Sequence, residues 1–339
     1  MTPPDQLFRH DAVATLLELA SSVAGGEPIG LLDAEGRPAA GWAPGEQPRQ
    51  DHVVSLGAGP VGWVVGAPGV PAALLALLAR SLELGLVSAD ERAARERLDQ
   101  ELAIGRRIQL ALVPRRFPDA PGWTFAAAYE PAREVGGDLF DAFRLRTRDG
   151  QVGLLVADVT GKGIPAALMM ADLRALLHAA TDNAPSPSVA LERVNRILVH
   201  ERSPSLFATA ALLVLDTSTG VVRYASAGHE PPLVARCAGG VEALEAGGPI
   251  LGAFADAAFE EREATLDPGD ALVLYTDGIT DTRDLDRRFF GEERLLDVVN
   301  GACGRPAEAI VDAIMAEVRG FCGQAEPFDD LTLLVVERR

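Results

Sequence analysis

Four stretches of this chain share one design, in which an apolar run leads into an aspartate or a glycine turn presents one. They are "GGDLFDAF" with Asp138 and Asp141, "VGLLVADVTGKGIPAALMM" with Asp158, "DALVLYTDGITDTRD" with Asp277 and Asp281, and "EPFDDLTLLVV" with Asp329 and Asp330. One aspartate beside glycine is an ordinary turn former or helix cap. Four such segments together constrain the fold much more. Carboxylates gathered without matching Lys or Arg cannot all stay ionised unless a cation neutralises them. Oxygen-only ligands select hard ions, magnesium or manganese, over zinc. Two such ions bridged by carboxylate are a standard device for activating water and clamping a phosphoryl group. Gly136 and Gly137 lack the β-carbons that would keep another group off the backbone next to Asp138.

At 339 residues the chain has room for two domains. Nearly half of it is hydrophobic and about a quarter charged, the balance of a globular protein rather than a disordered one. Asp and Glu outnumber Lys and Arg by 49 to 31, for a formal charge of −18. Such a surface repels nucleic-acid phosphates and anionic lipid, which argues against both as partners. Cys237, Cys303 and Cys322 show no paired or zinc-like spacing, which points to a reducing cytosol. No basic region followed by an apolar core opens the sequence, so no signal peptide is expected and the reading is cytoplasmic. The most apolar stretch, "VPAALLALLARSLELGL", meets Arg80 and Glu83 before it can span a bilayer.

A helix over 7–24, then strands flanking the turns "DAEGRP" and "GAGP", make residues 1–80 a small α+β module. Pro71 opens a long helical region to about residue 113, of which 81–113 is a linker. Leu98, Leu102, Ile104, Ile108 and Leu112 form an irregular apolar stripe along it. That stripe suits either a paired helix in a homodimer or a single helix lying along its own domain. Residues 114–339 form the second domain. Strands are expected at 123–129, 152–158, 208–215, 221–226, 271–276 and 331–336, and helices at 165–180, 187–201, 292–300 and 306–320. Clustered strands with paired helices between them mean a layered α+β or α/β fold.

The blocks "PAREVGGDLFD", "ADVTGKGIPAALMM", "FATAALLVLDTSTGVVRYASAGHEPPLV", "PGDALVLYTDGITD", "FGEERL" and "DDLTLLVV" resemble, in order and spacing, the SpoIIE-type branch of the metal-dependent protein phosphatases related to protein phosphatase 2C. The resemblance runs from about residue 106 to 336. It implies an αββα sandwich with two metal ions, manganese or magnesium, that hydrolyses phosphoserine or phosphothreonine. It makes Asp138 and Asp158 metal ligands with the backbone carbonyl of Val159 beside them, and Asp277 and Asp329 complete the sites. Asp281 matches a position that helps hold a third ion in some relatives. Arg133 matches the phosphate-binding arginine of the wider family, although a surface salt bridge explains it almost equally well. Relatives with this layout dephosphorylate a STAS-type anti-sigma factor antagonist in partner-switching signalling, and the N-terminal module resembles, weakly, a reduced GAF or PAS sensor.

Thr160 departs from that pattern. It stands where eukaryotic relatives carry a histidine that acts as general acid, so water or another group must protonate the leaving alkoxide. Lys162 reads as a phosphate neighbour or a solvated turn lysine, and His229 in "AGHEPP" reads as structural. "GGDLF" is also similar to the "GGDEF" block of diguanylate cyclases, two-metal nucleotide enzymes. That alternative leaves "YTDG", "AGHEPP" and "DDLT" unexplained. The other alternative is a pseudophosphatase that only docks partners, against which stands the retention of all four acids.

Overall fold

The computed structural model describes residues 11–24, 27–33, 37–40, 50–56, 59–67, 70–114, 116–133, 135–201, 206–325 and 327–339. The chain divides into two compact units, residues 1–101 and 102–339, and the division falls inside one long helix. The first unit holds α1 (Asp11–Val23), strands β1 (Ile29–Asp33), β2 (Pro38–Ala40), β3 (Gln50–Leu56) and β4 (Gly59–Gly66), and the start of α2 (Ala72–Leu112). Its antiparallel sheet runs β2-β1-β4-β3. Leu17, Leu31, Val54, Val64 and Leu75 make its core. Residues 34–36 and 57–58 of the two expected turns, and residues 7–10 of the expected first helix, lie outside the described residues.

The second unit adds β5 (Trp123–Glu130), β6 (Leu139–Arg144), β7 (Gln151–Val159), α3 (Ile164–Asn183), α4 (Pro187–Glu201), β8 (Ala208–Asp216) and β9 (Val221–Ala227). It continues with β10 (Leu233–Ala235), β11 (Val241–Ala243), β12 (Glu261–Thr265), β13 (Ala271–Tyr275), α5 (Asp277–Asp281), α6 (Gly291–Asn300), α7 (Ala307–Cys322) and β14 (Leu331–Arg338). These strands form two five-stranded sheets, β11-β10-β13-β14-β5 and β12-β9-β8-β7-β6.

Alternation along the central strands explains the layers. On β7, Leu155 and Ala157 join Met169, Leu173 and Leu191 of the α3/α4 side. Leu154 and Val156 instead meet Leu334 and Val336 of β14 between the sheets. On β14, Leu333 and Val335 face Ile310 and Ile314 of α7. Successive side chains of a strand point to opposite faces, so a strand covered on both sides reads as an unbroken apolar run. The result is helix–sheet–sheet–helix, an α+β fold.

Three features differ from expectation. Strand β6 forms on the "LFDAFR" segment, and β10, β11 and β12 are short strands that no apolar run announced. A single helical turn, α5, starts at Asp277. The cysteines also correct the sequence reading: Cys237 and Cys303 form a disulfide with their Cα atoms 5.1 Å apart. They are 66 residues apart, and their proximity comes from the packing after β10 and α6, which spacing alone cannot reveal.

Candidate active site

Each acid stands at the end of a strand, and the ends meet. Asp138 precedes β6, Asp158 is the penultimate residue of β7, and Leu139 pairs with Ala157. In the other sheet Asp277 follows β13, Asp329 precedes β14, and Tyr275 pairs with Leu333. Asp138 joins the two sheets. Its Oδ2 accepts the hydroxyls of Thr276, at 2.7 Å, and Thr332, at 2.5 Å. The structure therefore brings Asp138, Asp158, Asp277 and Asp329 into one region. Asp281 lies one helical turn beyond Asp277 on α5.

Asp138 is 3 % exposed, and among the described residues no Lys or Arg forms an ion pair with it or with Asp158. Burial, then the charge of Asp158, pushes the Asp138 carboxyl well above the usual range against the pull of its two threonine hydrogen bonds. Burial, then Asp277, with Asp329 and Asp330 adding, pushes Asp158 up to about 6. Burial, then Asp281 and Asp329, raises Asp277. In all three, burial comes first and a neighbouring carboxylate second, the pattern of acids crowded with little positive charge beside them.

The glycines matter by close approach. A β-carbon on Gly137 would lie 2.7 Å from the Val159 carbonyl oxygen and 3.5 Å from Asp158 Oδ1. One on Gly136 would collide with the Asp330 carboxylate and the Tyr129 hydroxyl. Gly136 is also gripped by α2: Gln109 Nε2 donates to its carbonyl at 2.5 Å, and its N–H donates to Gln109 Oε1 at 3.0 Å.

Several partners of the acids carried no separate signal in the sequence. Asp330 accepts the Ala132 and Gly137 N–H groups, both at 2.8 Å, and so shapes the loop that carries Asp138. Thr276 and Thr332 are visible only as the threonines of "YTDG" and "DDLT". Glu230 stands near Asp277, Glu292 and Asp281, and burial followed by these three charges raises its carboxyl. His229 donates from Nε2 to the Tyr275 carbonyl at 3.0 Å, which leaves Nδ1 to accept from Thr209 at 2.7 Å. Burial pushes it down to about 4, so it is a neutral brace between strands. Thr160 exchanges hydrogen bonds with the backbone of Phe207. Asp141 turns away from the other acids, to Arg174 and His178, each at 2.7 Å.

Arg133 is exposed and, with Lys162, Asp158 and Asp329, lines a narrow cleft over the acids. Beside it opens a cavity of about 520 Å³ bounded by Ala132, Arg133, Lys162, Pro327 and Phe328. Among the described residues no group of three or more His, Cys, Asp or Glu side chains is placed to hold a metal ion. The donor set is nonetheless all oxygen, buried at Asp138 and half-buried at Asp158, and among the described residues no Lys or Arg pairs with either. That fits hard divalent cations and does not fit zinc.

Two packed sheets with helix pairs outside and an acid cleft where strand ends meet define the fold of a PP2C-type phosphatase domain. It is similar to the SiaA PP2C domain of Pseudomonas aeruginosa, with a TM-score of 0.65 and 23 % identity over 72 % of this chain and 98 % of that one. The chain belongs to the SpoIIE family: the model described as Stage II sporulation protein E (SpoIIE) matches residues 148–339. Protein IcfG of Synechocystis sp. (strain ATCC 27184 / PCC 6803 / Kazusa) is 32 % identical over 265 residues, 70 % of this chain and 41 % of IcfG. Phosphoserine phosphatase RsbU of Bacillus subtilis (strain 168) is 27 % identical over 252 residues, 73 % of each chain. The chain thus spans well under half of IcfG and about three quarters of RsbU. The SpoIIE family match and the PP2C-type fold leave the resemblance of "GGDLF" to a cyclase block confined to those five residues. Among the described residues no helix is long and apolar enough to cross a membrane.

Proposed function

We propose that the chain is a metal-dependent protein phosphatase that hydrolyses phosphoserine or phosphothreonine. The observation that carries this reading is that burial first, and a neighbouring carboxylate second, raises Asp138, Asp158 and Asp277, while among the described residues no Lys or Arg pairs with Asp138 or Asp158. Asp138, Asp158, the Val159 carbonyl, Asp277 and Asp329 are the residues that would hold two manganese or magnesium ions, with Asp281 toward a third. When bound, such ions supply Lewis acidity at the phosphoryl oxygens and lower the pKa of water.

The chain's own residues do the rest. Thr276 and Thr332 orient the Asp138 carboxylate, and Asp330 and Gln109 hold the loop on either side of Gly136. Arg133, at the rim, offers a guanidinium fork to the substrate phosphate. Thr160 is spent on Phe207, so the proton for the leaving alkoxide comes from water or from another group.

For substrate we propose a phosphorylated STAS-type antagonist of an anti-sigma factor, in cytoplasmic partner-switching signalling. Support comes from the family and from the likeness to phosphoserine phosphatase RsbU. Residues 1–80 would act as a GAF- or PAS-like sensor, 81–113 as a helical linker that pairs two chains, and 114–339 as the phosphatase. The test is to incubate the purified protein with manganese and the host's phosphorylated STAS-domain proteins. Release of phosphate from one of them is expected. Hydrolysis of phosphoserine peptides but of no STAS protein would remove that substrate and leave the enzyme.

A further inference from the structure

We propose that Lys162 is a positioning residue of this site, one that ties Asp329 shut in the metal-free protein and turns to the substrate phosphate when an ion takes Asp329. The proposal rests on the phosphatase reading above. Lys162 sits in the glycine turn between β7 and α3, four residues after Asp158. Its Nζ donates to Asp329 Oδ2 at 2.9 Å and to the Phe328 carbonyl at 2.9 Å. The same ammonium lies 5.1 Å from the centre of the Phe328 ring. It therefore straps together two segments that are 167 residues apart in sequence.

Arg283 also contacts Phe328, its guanidinium carbon 3.8 Å from the ring centre. The remaining carboxylate oxygen of Asp329, Oδ1, accepts the Asp330 N–H at 3.0 Å. Both oxygens of Asp329 are thus engaged, Oδ2 by a side-chain cation and Oδ1 by the backbone of its neighbour. A divalent ion and the ammonium compete for Oδ2, since both are cations seeking one carboxylate. Once released, Lys162 keeps its place on the wall of the cavity that Arg133 also lines. A phosphoserine phosphate is close to a dianion, and two cations flanking one cavity match it. The ion pair is over a third exposed on both sides, so the competition is worth a few-fold in affinity rather than a switch.

The experiment compares wild type, Lys162→Gln and Lys162→Arg in two measurements. Titration calorimetry with manganese should give a dissociation constant roughly three- to fivefold lower for Lys162→Gln, with Lys162→Arg near wild type. Steady-state hydrolysis of a phosphoserine peptide at saturating manganese should show a KM raised about tenfold in Lys162→Gln, a smaller change in kcat, and recovery in Lys162→Arg. Unchanged or weaker manganese binding by Lys162→Gln overturns the strap, and an unchanged KM overturns the phosphate contact. A wild-type protein that takes up no manganese overturns the phosphatase reading and the proposal together, which sets that failure apart from the other two.

Discussion

Asp330 Oδ2 accepts the Gly137 N–H at 2.8 Å, so an acid next to Asp329 is spent on the loop that delivers Asp138. Its other oxygen takes the Ala132 N–H. Asp330→Ala leaves two backbone donors without their acceptor, at a cost of about 2 kcal/mol. The variant should melt lower and lose roughly tenfold or more in rate at limiting manganese, with partial recovery as manganese is raised. Thermal melts and a manganese titration of rate check this. A variant with wild-type rate at limiting manganese would show that the loop does not need its anchor.

Asp158→Asn separates stability from activity. Asp158 lies at about 6 in the metal-free fold, above its ordinary value of 3.8. The fold therefore holds that proton more tightly than the unfolded chain does. Its destabilising effect is absent below about pH 4 and complete above about pH 6. In EDTA at neutral pH the variant should be more stable than wild type, by up to about 2 kcal/mol, and the difference should vanish near pH 4. Activity with manganese should fall by orders of magnitude. Paired melts at the two pH values decide it, and a variant less stable than wild type at neutral pH contradicts the assignment.

Gly137→Ala tests the close approach. The new β-carbon would stand 2.7 Å from the Val159 carbonyl oxygen, a backbone atom that has to move with its strand. Activity should drop at least roughly tenfold through misplacement of Asp138 and Asp158. Gly320→Ala, a helical site where a β-carbon meets nothing within 4 Å, serves as the control and should keep full rate. Equal rates in the two variants would remove the packing argument.

What was legible follows from burial. Strands β7, β8 and β14 are covered on both faces, so their sequences are continuous apolar runs that could be placed on sight. Strands β10, β11 and β12 have three to five residues, and β11 and β12 carry exposed ones, so no period develops. That the segments bearing Asp138, Asp158, Asp277 and Asp329 meet was legible because four such segments recur and, in order and spacing, match the blocks of one family. The groups that hold them were not. Thr276, Thr332, Asp330 and Gln109 act through single hydrogen bonds set by tertiary packing, and a lone Gln at the end of a charged helix gives no sign that it will be buried against Gly136.

The linker gives a fourth prediction. On α2, Ile104 and Ile108 are exposed and Leu102 and Leu112 partly buried, while the Leu98 side chain lies outside the described residues. If two chains pair through this stripe, replacing Leu102 and Ile108 with glutamate should halve the mass in solution and change the phosphatase rate. Light scattering and rate measurements on the same samples test it. A monomeric wild type, or a variant monomer with unchanged rate, reduces the helix to a tether.

The central claim is that the strand-end acids hold hard ions for phosphate hydrolysis. Its most direct test is phosphate release from a phosphoserine peptide by the purified chain, with manganese or magnesium, with zinc, and with EDTA. The account predicts turnover with manganese or magnesium, none in EDTA, and loss of turnover in Asp138→Asn and Asp277→Asn. Turnover that persists in EDTA, or that only zinc supports, would contradict it.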